Sequence, residues 1–331
     1  MMNKVQLPGT PITCGVLGMG CASLGSRVSR AQGLRALAAA HEQGVDWLDV
    51  APVYGAGQAE EIIGSFVKGR RDRVHICSKV GLSVARSGAA LRLAYALGRP
   101  LIGAAKGLRS RFKKVTAAQN VSVPLTPELI ATSLESSLRR LGTDYLDMLA
   151  LHRVEVADLA RDEIRRALED AVAAGKVRHV GVAGSVESAE AALAWPETFT
   201  ILQLADAPHE APLPRLRAAA SRPPAFITHS VFGVGGAMAA AETALAANPA
   251  LRTRLAEAGY AGGDRQVIAD LLLDRALASN CEGVVLVSMY DPAHLAANVA
   301  RARGPAREEA IALVAALQGA AAGSGAAAPA P

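Results

Sequence analysis

Three short apolar segments, each ending in an ionisable side chain, constrain this chain more than any other feature. Asp46-Trp47-Leu48-Asp49-Val50 is too short and too β-branched for a helix. The Ala51-Pro52-Val53-Tyr54-Gly55 that follows is turn chemistry, because proline disfavours helix in the residue before it. The segment reads as a buried strand ending at Asp49, with Tyr54 on the loop beyond. Arg73-Val74-His75-Ile76-Cys77-Ser78-Lys79 is a second such strand ending in an amine, and Asp147-Met148-Leu149-Ala150-Leu151-His152 a third ending in an imidazole. In a closed parallel barrel the carboxyl ends of successive strands converge on one face, where catalytic groups gather. Asp49, Tyr54, Lys79 and His152 are therefore expected to meet. Singly, each has an ordinary reading as a cap, a packing aromatic, a surface lysine or a satisfied core histidine; their order and shared place at strand ends favour the functional one.

The rest of the chain supplies the other elements of such a barrel. Val5-Gln6-Leu7 and Ile12-Thr13-Cys14 flank Pro8-Gly9-Thr10 and read as a hairpin. Val16 to Gly20 is the first barrel strand, and Ser29 caps a helix running through Ala38 toward Gly44. Thr126 caps the next clear helix, with Pro127 in its first turn and Leu129, Ile130, Leu134, Leu138 and Leu141 at helical spacing. Arg161 to Ala174 reads as a helix closed by Gly175, and Val177–Ala183, Ile201–Leu204, Ala225–His229 and Gly283–Val287 complete a set of eight strands. The 331 residues suit one barrel of about 250 residues with insertions. The expected fold is α/β: a (β/α)8 TIM barrel over residues 1–318, with an N-terminal β-hairpin and a long loop insertion after the third barrel strand. With 4% aromatic residues, the core must rest on Ala, Val and Leu.

The insertion, residues 82–124, carries only positive charge. From Arg86 to Lys114 it holds eight Lys and Arg, and no Asp or Glu lies between Gly81 and Pro124, so this one segment exceeds the net charge of +5. The basic balance is local and gives no reason to expect nucleic-acid binding. Because strand-to-helix loops shape substrate pockets, the segment reads either as a lid over an anionic ligand or as a solvated loop. The residues 319–331 are Ala/Gly/Pro-rich and are expected to be disordered. No run reaches the roughly 18 apolar residues of a membrane span, and Met1 to Thr10 lacks a signal-peptide pattern. The expectation is a cytoplasmic protein without membrane partners. Cys14, Cys21, Cys77 and Cys281 lack metal-type spacing and read as small apolar fillers in a reducing compartment, with no metal site.

Three motifs in this order carry a family resemblance: Ala51-Pro52-Val53-Tyr54-Gly55-x-Gly57-x2-Glu60, Leu138-x2-Leu141-Gly142-x-Asp144-Tyr145-x-Asp147, and Gly175-Lys176-Val177-Arg178-x2-Gly181-Val182. Together with the Asp49, Tyr54, Lys79, His152 pattern they resemble the aldo-keto reductases, from about Cys14 to Asn298, with the sugar and pyridoxal dehydrogenase branch most similar. The resemblance implies an NAD(P)-dependent oxidoreductase interconverting an aldehyde, ketone or sugar with its alcohol by hydride transfer. Tyr54 would be the general acid/base, because carbonyl reduction leaves an alkoxide that needs a proton donor within hydrogen-bond reach. Lys79 beside it would favour the phenolate, Asp49 would hold the buried lysine, and His152 would orient and polarise the carbonyl.

On the cofactor side the resemblance implies Gln203 as a carboxamide ligand, His229 where an aromatic usually stacks on nicotinamide, and Asn298 at the adenine. Gly20, at the end of the first barrel strand, suits close cofactor approach. Gly18-x-Gly20 lacks the third glycine and partner acid of a dinucleotide fingerprint. Gly233 and Gly235 could present bare backbone amides to a pyrophosphate or belong to a flexible loop. Two departures stand out. The Ser-Asn that usually follows Gly-Val is here Ala183-Gly184, and the arginine that usually reads the 2′-phosphate is His294. A neutral imidazole is a poor substitute for a guanidinium. The pattern leans toward NAD or relaxed choice over strict NADP, with Arg301 and Arg303 left as alternative phosphate partners. The expected substrate is a small carbonyl compound or sugar, anionic ones included. The other reading is a weakly catalytic or non-catalytic nucleotide-binding barrel serving as a regulatory or interaction subunit.

Overall fold

The structure is a computed structural model and describes residues 2–84, 120–208, 210–233 and 237–323. In chain order its strands are β1 (Lys4–Gln6), β2 (Thr13–Gly15), β3 (Leu17–Gly20), β4 (Trp47–Asp49), β5 (His75–Val80), β6 (Leu82–Val84), β7 (Asn120–Ser122), β8 (Leu146–His152), β9 (Val177–Gly184), β10 (Phe199–Ala205), β11 (Ala225–His229) and β12 (Val284–Val287). Eight of them close into a parallel barrel in the order β10-β11-β12-β3-β4-β5-β8-β9. The antiparallel β1–β2 hairpin pairs Lys4 with Gly15 and Gln6 with Thr13. The expected barrel and hairpin are both present.

Strand periodicity accounts for the interior. Leu7, Ile12 and Cys14 of the hairpin segment pack with Trp47, Cys77, Met148, Ala150, Ile201, Ile227 and Leu286 in an inner apolar cluster. Side chains alternate along a strand, so the residue two places beyond an inward one points inward again. Trp47 is followed in this way by Asp49, Cys77 by Lys79, Ala150 by His152, Ile201 by Gln203 and Ile227 by His229. The barrel thus holds an apolar plug with a polar layer above it at the carboxyl ends. A larger cluster of Ala, Val, Leu and Ile lies between the strands and the surrounding helices.

Helix boundaries follow local chemistry. Ser29 caps Arg30–Glu42 by accepting from the Gln32 amide, and Thr126 caps Pro127–Leu141 by accepting from Leu129. Gly142 ends the latter at φ 63, the left-handed conformation glycine tolerates. Much of the second and third resemblance motifs holds the foot of the barrel. Asp147 accepts from Arg71 at 2.7 Å and from the Ile76 amide at 2.9 Å. The Tyr145 ring is flanked by the guanidinium groups of Arg71 and Arg178 at 3.8 and 4.1 Å.

One expectation needs correction. The stretch from Gly319, expected to be disordered, continues a helix, Glu309–Gly323. That helix anchors itself through buried Ala310, Leu313, Val314 and Leu317, and alanine is the best helix former, so the Ala-rich continuation keeps the conformation it inherits. Residues 324–331 lie outside the described residues. Between β11 and the helix Asp264–Ser279, Ala237–Ala246 and Pro249–Glu257 are two further helices, the second capped by Asn248. At the third loop, β6 and β7 pair antiparallel as the stem of the basic insertion. Its interior, and with it the lid reading, falls outside the described residues. Cys14, Cys21 and Cys77 are buried fillers as expected, whereas Cys281 is exposed. Among the described residues no helix is long and apolar enough to cross a membrane.

Candidate active site

Lys79 is the centre of the polar layer. Its Nζ donates to Asp49 Oδ1 at 2.5 Å and to the Val50 carbonyl at 3.1 Å, with the two side chains only 2% and 7% exposed. Burial opposes the ammonium, but the Asp49 carboxylate together with Tyr54 and Cys77 outweighs it and holds Lys79 above its ordinary range.

Tyr54 reaches this pair through a tight turn. Tyr54–Gly57 is a kinked turn, not a continuous helix, because Gly55 and Ala56 take left-handed φ values of 56 and 53. A Cβ on Gly55 would lie 2.4 Å from the Leu24 carbonyl, so glycine lets the turn pack against the loop after β3. The turn places the Tyr54 ring centroid 5.2 Å from Lys79 Nζ and 6.3 Å from the His152 ring, which meets it edge-on. The four residues expected to converge do so. The protonation balance differs from expectation: burial raises the Tyr54 pKa above its ordinary value of 10, and the opposing pull of Lys79 offsets this only in part. The phenol is therefore a neutral donor at neutral pH. Burial, joined by the charges of Lys79 and Arg153, lowers His152 to about 2, so its imidazole is neutral and able to donate or accept a hydrogen bond without carrying charge.

Behind the site, Glu60 is fully buried and accepts from Ser78 Oγ at 2.7 Å and from Arg140 Nε at 2.6 Å. The last residue of the first motif thus bolts β5 to the Pro127–Leu141 helix. Gln203 lies across the site: its Nε2 donates to Asp49 Oδ1 at 2.9 Å. This contact spans 154 residues of sequence, and no local pattern announces it.

Of the residues expected at a cofactor, Gly20 and His229 end the barrel strands β3 and β11. A Cβ on Gly18 would clash with Leu286 at 2.6 Å, so that glycine serves packing; one on Gly20 would meet nothing closer than Ser288 Oγ at 3.5 Å. A Cβ on Gly20 would thus be in ordinary van der Waals contact with Ser288 and Val287, and the Gly20 carbonyl is pinned by Ser288 Oγ at 3.2 Å and Tyr290 Oη at 3.1 Å. No sequence motif marks those two hydroxyls. His229 ends β11, shares a 2.9 Å hydrogen bond with Ser230 Oγ, and has its pKa lowered chiefly by burial. Gly233 follows at φ 70, while Gly235 lies outside the described residues.

Asp291 caps the helix Pro292–Arg303, which exposes His294 in its first turn and buries Asn298. Neither alternative arginine is free. Arg301 donates through Nε to Asp274 Oδ1 at 2.9 Å, and Arg303 donates to Gln43 at 2.5 Å. Ala183 and Gly184 carry no polar side-chain atoms, and a Cβ on Gly184 would lie 2.6 Å from Ser188 Oγ. The Tyr54 phenol and the His152 and His229 imidazoles, the two histidines at the carboxyl ends of their strands, have the chemistry that a nicotinamide dinucleotide fits. Among the described residues there is no cluster of His, Cys, Asp and Glu able to hold a metal ion.

Comparison with known proteins agrees with this geometry. The chain is 26% identical over 187 residues to the aldo-keto reductase YhdN of Bacillus subtilis, covering 55% of this chain and 46% of that one. It is 28% identical over 191 residues to an NADH-specific methylglyoxal reductase of Escherichia coli, covering 55% and 52%. The matched region thus spans about half the length of these relatives. Among solved structures, an aldo-keto reductase from Klebsiella pneumoniae in complex with NADPH superposes with a TM-score of 0.66 at 22% identity, covering 96% and 95% of the two chains. The Aldo/keto reductase family profile matches residues 16–217, and the chain belongs to that family.

Proposed function

We propose that the chain is an NAD(P)H-dependent carbonyl reductase in which Tyr54 is the general acid/base, Lys79 and Asp49 set its electrostatic surroundings, and His152 orients the substrate oxygen. The observation that carries this reading is the buried Asp49–Lys79 pair with Tyr54 and His152 gathered around the ammonium. A packed core has no need of a desolvated ion pair beside a phenol, whereas proton delivery to a developing alkoxide does. The nicotinamide supplies the hydride. The chain's residues do the rest: Tyr54, neutral at rest, gives its proton to the carbonyl oxygen. The Lys79 ammonium stabilises the phenolate left behind, and the neutral His152 donates a hydrogen bond to the same oxygen.

Gly20, His229, Gly233, His294 and Asn298 are the proposed cofactor contacts. With Arg301 paired to Asp274, Arg303 in the last turn and His294 exposed in the first, the first turn of the helix Pro292–Arg303 offers no guanidinium to a 2′-phosphate, which supports NAD or relaxed choice over strict NADP. Small aldehydes, ketones and sugars are the proposed substrates. The cationic insertion supports anionic ones among them.

Titration with NADH and NADPH followed through Trp47, and carbonyl reduction by wild type and Tyr54→Phe, test the reading. Binding of either dinucleotide, with turnover abolished in Tyr54→Phe, is the expected result. Failure of both to bind at millimolar concentration would replace it with a non-catalytic barrel acting through interactions, the role that the bare Ala183-Gly184 pair would permit.

A further inference from the structure

Tyr54 and Lys79 belong to different elements, so their separation depends on how those elements are held together. Tyr54 sits on the turn that runs straight into the helix Gln58–Val67, with Gly57 as its N-cap and Glu60 in its first turn. Lys79 sits on β5 next to Ser78, and neighbours along a strand face opposite ways: Lys79 points into the barrel and Ser78 out toward that helix. Glu60 Oε1 accepts from Ser78 Oγ at 2.7 Å, with both residues 0% exposed. One side chain thus ties the segment carrying the phenol to the strand carrying the ammonium.

The other oxygen of the same carboxylate, Oε2, accepts from Arg140 Nε at 2.6 Å and anchors it to the Pro127–Leu141 helix. One turn beyond Glu60 the two helices meet closely: a Cβ on Gly64 would lie 2.6 Å from the Arg140 carbonyl oxygen and 2.7 Å from that of Leu141. For stability alone a buried carboxylate is a poor choice, because a well-packed apolar residue in place of a buried ion pair is often as stable or more so. What the carboxylate adds is direction. Two hydrogen bonds to two other elements set where the start of the helix, and with it the Tyr54 turn, lies relative to β5. We propose that Glu60 is a positioning residue, whose carboxylate, held between Ser78 and Arg140, sets the place of the Tyr54 hydroxyl beside the Lys79 ammonium. This rests on the reductase reading for its consequence in catalysis, though the hydrogen bonds themselves do not.

The test uses the full chain. Ser78→Ala cuts the tie to β5 and leaves the Glu60–Arg140 pair in place, whereas Glu60→Leu cuts both ties at similar size. Glu60→Gln keeps both, since its amide oxygen can accept from Arg140 while its NH2 donates to Ser78 Oγ. Gly142→Ala, at the end of the Pro127–Leu141 helix, controls for lost stability alone. The readouts are the Kd values for NADH and NADPH and the rate of a single turnover with 4-nitrobenzaldehyde as the carbonyl probe. For a positioning role, Ser78→Ala and Glu60→Leu keep the Kd values but slow the turnover by about tenfold or more, because a misplacement of about 1 Å can cost about a hundredfold. The double variant is no slower than Glu60→Leu, since both changes cut the same tie. Glu60→Gln recovers most of the lost rate, and Gly142→Ala never loses it. Full turnover rates in Ser78→Ala and Glu60→Leu, with only stability reduced, would make Glu60 a packing residue and overturn the proposal. So would a Glu60→Gln variant as slow as Glu60→Leu. A further measurement needs no turnover: in protein labelled with 13Cζ-tyrosine, the signal absent from Tyr54→Phe moves in Ser78→Ala and stays in place in Gly142→Ala. A wild-type chain that reduces no carbonyl would defeat the reductase reading alone, whereas a Tyr54 signal indifferent to Ser78→Ala would defeat this one.

Discussion

The Asp49 carboxylate and the Lys79 ammonium face each other at 2.5 Å from adjacent strands, both almost wholly withdrawn from water. Such a pair is costly to break and cheaper to replace as a unit, because removing one partner strands the other charge in a poor dielectric. Lys79→Met should lower stability by about 3–5 kcal/mol, while Asp49→Asn combined with Lys79→Met should cost less than the sum of the single changes. Urea denaturation of the four proteins at pH 7 closes the cycle. Additive effects would mean that the charges do not interact.

The pair and its two neighbours were legible in the sequence because each requirement is local. A short apolar run ending in a charge predicts a strand end, and barrel topology does the rest for Asp49, Lys79 and His152. Tyr54 needed only the Pro52 and Gly55 turn beside it. Contacts that join distant segments left no such trace: Gln203 to Asp49, Glu60 to Ser78 and Arg140, and the Ser288 and Tyr290 hydroxyls on the Gly20 carbonyl. The helix through Gly323 was missed for a different reason. An Ala/Gly-rich stretch lacks the periodic contrast that marks an amphipathic helix, and only the packing of the preceding turns decides it.

Because burial holds the Tyr54 hydroxyl above its ordinary pKa of 10, the protonated form that the proposed carbonyl reduction requires persists across the neutral range. The reverse reaction needs the phenolate. Reduction should therefore be insensitive to this group from pH 7 to 9, while alcohol oxidation rises by about tenfold per pH unit as the scarce base form accumulates. Parallel pH profiles in the two directions check this. An oxidation rate already level at pH 8 would assign the limb to another residue.

His152 titrates near 2 in the folded chain against an ordinary value of 6.5. Above pH 6.5 neither state is protonated there and stability is unaffected. Below it the unfolded chain takes up a proton that the folded chain refuses, so stability falls as pH falls, by at most about 1.4 kcal/mol per unit from this group. Urea midpoints measured from pH 8 to 4.5 should decline less steeply in His152→Gln than in wild type. Identical slopes would mean that His152 accepts a proton in the fold.

Gly55 and Gly142 share left-handed φ values of 56 and 63, but a Cβ on Gly142 would meet nothing within 4 Å. Gly142→Ala should cost only the conformational penalty, about 1–2 kcal/mol, and leave turnover intact. At Gly55 the same change adds a 2.4 Å collision with the Leu24 carbonyl, which only movement of the Tyr54 turn can relieve. Gly55→Ala should therefore lose stability beyond that of Gly142→Ala and lose turnover as well. Equal behaviour of the two variants would show that the turn has slack.

His294 is exposed in the first turn of a helix whose own Arg301 and Arg303 are tied to Asp274 and Gln43. Replacing it by arginine introduces a guanidinium able to make bidentate, charge-assisted hydrogen bonds to a phosphate without displacing an existing contact. If this helix lies at the adenosine end of the cofactor, His294→Arg should tighten NADPH by about tenfold, equivalent to roughly 1.4 kcal/mol, and leave NADH alone. The gain should shrink as salt is raised, since the new charge is exposed and screened. Calorimetric titration of both dinucleotides at low and moderate ionic strength separates the possibilities: selective, salt-sensitive tightening of NADPH places the 2′-phosphate at position 294, whereas equal changes for the two cofactors place it elsewhere.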